Sequence, residues 1–497
     1  MLIGMKSLKS LASVLKEAVL IGSPETEIVS MSSDSRKISP GSLFIALPGH
    51  RVDGASFAEK AVEAGAVAVL TERKLEIPSS QIIVPDVHKA MEVIVPYFYD
   101  YPGKALRIIG ITGTNGKTTT SFLIHHLLQE AGKKSGLIGT ICSKFGNQEI
   151  ISSNTTPDVA DLQKLLYEMV KGGLSHVVME VSSHALALGR VAGCEFDVGV
   201  FTNLTQDHLD FHRTFEEYQK AKLRLFSSLG ENGCKSNKRA VINRDDEQWK
   251  SFAENSEAPV WTYGYQVGSD FFVRSAEISQ EGTEISLSMP DGELTLRSTL
   301  VGDFNVSNIL AAIAAVRSEG LSWDVIESGL ASFSGVPGRF QQISNNPRLP
   351  LVVVDYAHTP DGLKNVLLTA RKLVKEKLVV VFGCGGDRDR LKRPLMGAIG
   401  AELADEVILT SDNPRNEEPE AILQDILVAW DDCIKKPMVI SDREQAIRKA
   451  IEVAEPGDVV LISGKGHETY QILKDEVIHF DDREVAEKAL EEKYGIV

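Results

Sequence analysis

The stretch RIIGITGTNGKTTT, residues 107–120, decides how the rest of the chain is read. An apolar strand runs into a Gly-Thr-Asn-Gly-Lys-Thr turn, and a helical pattern with Leu123, Ile124, Leu127 and Leu128 on one face follows, ending at Gly132. Gly113 and Gly116 permit backbone conformations in which successive N–H groups turn toward an anion. Thr114 and Asn115 lie between them, Lys117 supplies a mobile cation for terminal phosphates, and the hydroxyl of Thr118 or Thr119 suits a magnesium ion. The positive end of the helix dipole then faces the same point. The segment therefore reads as a phosphate-binding loop. One position departs from the strict G-x-x-x-x-G-K spacing: residue 111 is Ile111, not glycine.

Outward from this loop, the chain alternates strands and helices. The apolar strands HVVMEVSS and VGVFTN follow it in order, which predicts a mainly parallel sheet with nucleotide bound at the carboxyl ends of the strands. Residues 260–300 are polar with period-two stretches and predict a small antiparallel sheet. The last third holds PLVVVDYAH, KLVVVFG, DEVILTSD, KPMVISD and DVVLISGKG separated by helical segments, a second α/β pattern of Rossmann-like kind. Gly383, Gly385 and Gly386 follow one of these strands, but Arg388 stands where a dinucleotide fingerprint needs its third glycine, so no nicotinamide site is expected. Residues before Tyr101-Pro102-Gly103 mix short strands with a helix. The expectation is an α/β protein of three domains: a small α/β domain over 1–101, a central phosphate-loop domain over 102–338 and a Rossmann-like domain over 339–497.

At 497 residues the chain is too long for a single core. A formal net charge of -16 argues against nucleic acid or an anionic membrane surface as a general partner, so anionic substrates must be held by local cations and backbone N–H groups. No apolar run reaches membrane-spanning length, and Lys6, Lys9 and Lys16 interrupt the N-terminal segment as they would not in a signal peptide. The cysteines, Cys142, Cys194, Cys234, Cys384 and Cys433, form no C-x-x-C pair. A cytoplasmic monomer is the expectation.

Two clusters carry further chemistry. Glu180 ends the strand VVME, where a second magnesium ligand belongs; a solvated acid at a strand end would look the same. TNLTQDHLDFH gathers Asp207, His208, Asp210 and His212 at spacings unspecific for zinc or iron, and a structural hydrogen-bonded cluster is the simpler reading.

Taken together, GTNGKTTT, MEVSSHAL, TNLTQDHLDFH, GDFNVSNILAA, GVPGRFQ, DYAHTPDGL, GCGGDRDRLKRPLM, SDNPRNEEP and ISGKGHE resemble, in order and over nearly the whole chain, the Mur ligases, and most closely those members that add the third peptide residue to the peptidoglycan precursor. The resemblance implies an ATP-dependent amide ligase acting on UDP-N-acetylmuramoyl-L-alanyl-D-glutamate with ATP and magnesium. It places the phosphate lysine at Lys117, the magnesium acid at Glu180, a magnesium-associated histidine at His208 and a lysine carbamylated by carbon dioxide at Lys222, all four in catalytic roles. It places adenine recognition at Asn305, a phosphate-reaching arginine at Arg339 and the ribose-side acid at Asp355. Ser33 and Ser35, with Asp34 and Arg36, resemble the uridine-site motif, and Asn154, Thr155, Thr156, Ser182 and Arg190 match positions that hold the muramoyl dipeptide. Asp412, Asn413, Pro414 and Arg415 resemble the form that selects meso-diaminopimelate, with Arg415 paired to the distal carboxylate; Arg388, Gly464 and Glu468 complete that pocket. His358 has a supporting role near the phosphates. Without the resemblance, Asn305 reads as a helix stripe or cap, Arg339 as a salt-bridge residue, Lys222 as part of a solvated helix face, and NTTP and DNP as turns. The alternatives are the same ligase acting on L-lysine, a folylpolyglutamate synthase-like ligase, which lacks the N-terminal third and the DNPR pocket, and a nucleotide-switched binding protein.

Overall fold

A computed structural model describes residues 5–49, 53–152, 154–230, 233–344, 346, 348–430 and 436–495, with the backbone alone at Asp210; Cys433 falls outside the described residues. The chain divides into two compact units, residues 1–271 with 310–326 and residues 272–309 with 327–497.

In the first unit, Arg107–Thr112 lies inside a sheet whose strands run in the order Gln148–Ile151, Cys142–Phe145, Ser135–Ile138, His176–Glu180, Arg107–Thr112, Val198–Phe201, Arg239–Asn243 and Val260–Gly264. The six from Ser135–Ile138 to Val260–Gly264 are parallel, and a short antiparallel hairpin closes the other edge. A strand buried on both faces needs an apolar run rather than an alternating one. Ile108, Ile109 and Ile111 satisfy this, all fully buried. That also explains the departure at residue 111: Ile111 is a core strand residue paired in register with Glu180, and the loop proper begins at Gly113. The helix Lys117–Glu130 leaves the loop with Leu123, Ile124, Leu127 and Leu128 buried, and Gly132 follows it in the left-handed region at φ +69°.

A separate five-stranded sheet precedes it, in the order Val19–Ile21, Ser80–Ile83, Ala66–Thr71, Ser42–Ile45 and Ser30–Ser32, parallel except at the Val19–Ile21 edge. Its core joins Leu43, Ile45, Leu70 and Ile82 to Val87, Met91, Ile94 and Phe98 of the helix Val87–Phe98.

The second unit holds the antiparallel strands Phe271–Ser279, Gly282–Met289 and Gly292–Ser298. One expectation is corrected here. Residues 260–264, read with that antiparallel segment, instead extend the parallel sheet beside Arg239–Asn243, and the antiparallel part starts only at Phe271. The main sheet of this unit runs Gln341–Gln342, Leu351–Asp355, Val459–Ser463, Leu378–Phe382, Glu406–Leu409, Met438–Val439, parallel after the first. Its Val-rich strands are sealed by helices on both faces, as two separate apolar clusters record. Among the described residues no helix is long and apolar enough to cross a membrane.

Candidate active site

At the carboxyl end of Arg107–Thr112 the chain makes a cradle. Gly113 takes φ +152°, and a Cβ there would overlap the Thr202 hydroxyl, so the tight approach of the Val198–Phe201 strand end requires glycine. Thr202 and Asn203 then hold the loop open: Thr202 Oγ1 donates to Asn115 O at 2.6 Å, and Asn203 Oδ1 accepts from Asn115 N–H at 2.9 Å. Thr114 N–H donates to Asn203 O at 2.9 Å, and its hydroxyl lies 3.0 Å from the Tyr218 hydroxyl. The loop is therefore a pre-formed backbone surface. Gly116 at φ +84° opens the helix without a side-chain cap, leaving its first N–H groups directed at the cradle.

Lys117 curls back over this loop, its Nζ donating to Gly113 O at 2.8 Å and Thr114 O at 2.9 Å. Lys222, on the helix Phe215–Ser227, reaches the same carbonyl: its Nζ lies 2.8 Å from Gly113 O. It is 1% exposed and sits 4.6 Å above the Tyr218 ring. Burial first, and the Lys117 cation second, push the Lys222 ammonium well below the ordinary lysine value, a shift toward the neutral amine. The solvated helix face that spacing alone allowed is thus excluded for Lys222.

Glu180 is fully buried, not a solvated strand end. Its Oε2 accepts from Thr118 Oγ1 at 3.0 Å and Thr140 Oγ1 at 2.9 Å, while Oε1 accepts from Thr140 N–H at 2.8 Å. A buried carboxylate with two rotatable hydroxyls on one oxygen is a hard-oxygen donor set suited to magnesium, because each hydroxyl can turn its hydrogen away and present a lone pair. Asp207, His208 and His212 pack about Tyr218: His208 lies edge-on to His184 at 4.8 Å and 6.1 Å from the Tyr218 ring, with its Nε2 3.5 Å from Asp207 Oδ2. His208 itself occupies the left-handed region at φ +54°. The Asp210 side chain lies outside the described residues.

The residues that the resemblance matched to a dipeptide site lie near Glu180. Thr156 is buried and donates to Glu180 O at 2.9 Å; Ser182 N–H donates to Thr156 Oγ1 at 3.1 Å; Arg190 Nη1 donates to Thr156 O at 3.2 Å. Thr155 Oγ1 accepts from Thr140 at 3.1 Å, and Asn154 is exposed beside it. Desolvation lowers the Arg190 guanidinium from its usual value. The capping role is present here: Asp158 caps the next helix through Asp161 N–H, and Ser182 caps its own through Ala185 N–H. Ser33 donates to Asp158 Oδ2 at 3.1 Å, tying the uridine motif to that cap. Asp34 caps a short turn containing Ser35, and the Arg36 guanidinium holds its carboxyl at about 2.

In the second unit, Asn305 is buried on the helix Asp303–Ser318, donating to Val301 O at 2.8 Å and accepting from Asn308 at 2.9 Å. Phe304 meets Phe340 edge-on at 5.8 Å, which brings that helix to Arg339, whose guanidinium lies 4.5 Å over Tyr356. Asp355 ends Leu351–Asp355 and accepts from Phe340 N–H and Ala357 N–H, each at 2.7 Å; burial raises its carboxyl and Arg339 opposes the rise. His358 Nδ1 lies 2.8 Å from Tyr356 O.

Nearby, Asp412, Asn413, Pro414 and Arg415 follow Glu406–Leu409. Arg415 at φ +53° turns its Nη1 onto Gly386 O at 2.8 Å. Asn413 Nδ2 donates to Glu468 Oε2 at 2.9 Å. Gly464, at φ +121°, lets Asp412 approach to 2.6 Å from where a Cβ would stand. Arg388 is exposed, its Nη1 3.5 Å from Asp387 O. Sequence reasoning missed Thr140, Asn203 and Tyr218, which hold the loop and Glu180, and Lys465, which is fully buried beneath Glu468. Only the clustering of GKGHE around Glu468 could have pointed to Lys465.

A phosphate cradle ending in lysine and facing a buried carboxylate defines a nucleotide-using enzyme of the phosphate-loop class. Family models agree over most of the chain: the Mur ligase family catalytic domain over residues 27–100, the Mur ligase middle domain over 111–316 and the Mur ligase glutamate ligase domain over 338–466. The chain belongs to the Mur ligase family. A relative from Geobacillus thermodenitrificans named UDP-N-acetylmuramoyl-L-alanyl-D-glutamate--2,6-diaminopimelate ligase is 48% identical over 95% of this chain and 96% of its own. A Clostridium tetani relative of the same name is 44% identical over 98% and 100%. A solved structure of a ligase with that name is 36% identical, covers 99% of both chains and superposes with a TM-score of 0.69. E. coli FolC, 22% identical over 74% of this chain and 89% of its own with a TM-score of 0.58, shares the fold alone.

Proposed function

We infer that this chain is an ATP-dependent amide ligase that adds meso-diaminopimelate to UDP-N-acetylmuramoyl-L-alanyl-D-glutamate in peptidoglycan precursor synthesis, the activity named for relatives that match it nearly end to end. The observation that carries the choice of amino acid is the placement of Arg415 and Glu468 on either side of Asn413: Arg415 Nη1 lies 3.5 Å from Asn413 O, and Glu468 accepts from its amide. A guanidinium fork and a carboxylate so placed suit the carboxylate and ammonium of a zwitterionic side-chain terminus.

In this reading residues 1–101 bind the uridine end, with Ser33 and Ser35. Residues 102–338 bind ATP and the dipeptide, and residues 339–497 bind the amino acid. Asn154, Thr155, Thr156, Ser182 and Arg190 offer hydroxyls and one cation to the pyrophosphate and carboxylates of the dipeptide. Lys117, with the N–H groups at the start of the helix it opens, holds the terminal phosphates. Thr118, Glu180, His208 and Lys222 as its carbamate would hold magnesium, which supplies neutralisation of phosphate charge. The shift of Lys222 toward the neutral amine supports the carbamate, because only an unprotonated amine adds to carbon dioxide. Modification would set an anion beside the Lys117 cation.

The terminal carboxylate of D-glutamate attacks the γ-phosphate to give an acyl phosphate and ADP. The free amine of diaminopimelate then attacks the acyl carbon, and phosphate leaves with the C–O bond electrons as the amine proton is lost. The protein's part is positioning and exclusion of water from the mixed anhydride. The enzyme works as a cytoplasmic monomer.

Phosphate release measured with ATP and each co-substrate omitted in turn tests this reading. Release is expected only when both dipeptide nucleotide and diamino acid are present, and to fall about a thousandfold in Lys117→Ala, as for loss of a charge-stabilising group in phosphoryl transfer. Hydrolysis indifferent to both co-substrates would instead mark a nucleotide switch.

A further inference from the structure

Beneath the candidate amino-acid pocket, Lys465 makes a closed three-membered network. Its Nζ donates to Glu468 Oε2 and to Asn413 Oδ1, each at 3.1 Å, and Asn413 Nδ2 donates to the same Glu468 Oε2 at 2.9 Å. The Lys465 side chain is fully buried, whereas that of Glu468 is 14% exposed. One carboxylate oxygen is thus anchored by two donors, and among the described residues Oε1 has no hydrogen-bond donor.

The charges around this point can be counted. Burial raises the Tyr470 hydroxyl, with Glu468 and Asp412 adding to the rise and Arg415 opposing it. Lys465 lies 5.6 Å from the Tyr470 ring centroid. Arg443, deeper in the unit, is answered by its own partner, Asp482, at 2.7 Å on two bonds. Arg388 is exposed at the surface of this region. Arg443 with Asp482, and the half-buried Arg339 with Asp355, add no net charge, and the set at the pocket, Lys465 and Arg415 against Glu468 and Asp412, is neutral.

We propose that Lys465 is a specificity-determining positioning residue, whose buried charge balances Glu468 so that the pocket accepts a side-chain terminus bearing both ammonium and carboxylate and rejects one bearing an ammonium alone. A neutral, low-dielectric site matches a zwitterionic group without leaving net charge buried. A lone ammonium, as in L-lysine, brings an unbalanced positive charge next to Lys465, and that repulsion acts as selection against the wrong substrate. Removing the Lys465 charge leaves the set one unit negative, which favours the lone cation. The inference rests on the amino-acid assignment made above.

Amide formation with meso-diaminopimelate and with L-lysine, measured over a concentration series for the wild type, Lys465→Met and Lys465→Arg, tests it. In Lys465→Met the ratio of kcat/KM for diaminopimelate over lysine is expected to fall at least tenfold, mainly through KM, with lysine use rising in absolute terms; Lys465→Arg keeps the ratio within a few-fold. Lys465→Gln, which keeps donors but not charge, carries the same expectation as Lys465→Met should the methionine variant fold poorly by circular dichroism. An equal loss for both amino acids in either uncharged variant would reduce Lys465 to a structural residue and overturn the inference alone. A wild type that prefers lysine would overturn the amino-acid assignment with it.

Discussion

Lys222 shows how one side chain's meaning depends on its surroundings. A lysine among Lys220 and Arg224 on a helix is ordinary, yet this one is buried with its Nζ on the same carbonyl as the Lys117 cation. Because its folded-state value is depressed, the folded chain gives up this proton at a lower pH than the unfolded chain does. The resulting penalty is present at neutral pH and disappears as pH rises to the unfolded value, near 10.5. In buffer free of carbon dioxide, Lys222→Met is therefore expected to raise the thermal midpoint at pH 7, with the gain shrinking steadily toward pH 10.5, while ligation is lost. A midpoint lowered equally at both pH values would show that the hydrogen bond to Gly113 outweighs the charge penalty.

At the scale of the element, the strand, loop and helix around residues 107–130 form one device. The strand is apolar because both faces are covered, the helix begins at Lys117 because Gly116 can turn the chain, and the loop keeps its shape because Thr202 and Asn203 brace it from the neighbouring strand. Gly113→Ala would force both an unfavourable φ and a clash with Thr202. It is expected to cost about 1–3 kcal/mol in denaturant unfolding, a typical range for backbone strain. ATP affinity should weaken at least tenfold on top of that, read by titration with a fluorescent nucleotide analogue. Unchanged affinity would mean that the brace does not shape the cradle. The strand and helix were legible in the sequence from periodicity and glycines; the brace was not, because Thr202 and Asn203 lie almost ninety residues away and become neighbours only through parallel pairing.

Across the whole molecule, polar groups locked in the interior sit beside each candidate site. In the second unit Arg443 and Asp482, both fully buried, join the helices Arg443–Val453 and Asp482–Tyr494, and Arg443 Nη2 also donates to Ser463 O next to Gly464. Breaking one half of such a pair strands the other charge, so Asp482→Ala is expected to destabilise this unit by about 3–5 kcal/mol. The double variant Arg443→Met with Asp482→Leu should recover most of that loss in chemical denaturation. Failure of the double variant to recover would show that the bond to Ser463 O, not charge balance, carries the stability.

The sequence by itself determined the α/β class, the mainly parallel sheet and the position of the phosphate loop, because hydrophobic period and glycine placement are local properties. It also named Glu180, Lys222 and Arg415 through ordered motifs, though not their environments. Tertiary structure alone decided that Glu180 is buried under two threonine hydroxyls, that Lys117 and Lys222 meet on one carbonyl, that residues 260–264 belong to the parallel sheet, and that Lys465 anchors Glu468. Burial and charge pairing arise between segments distant in the chain, and a linear pattern carries no record of which of them touch.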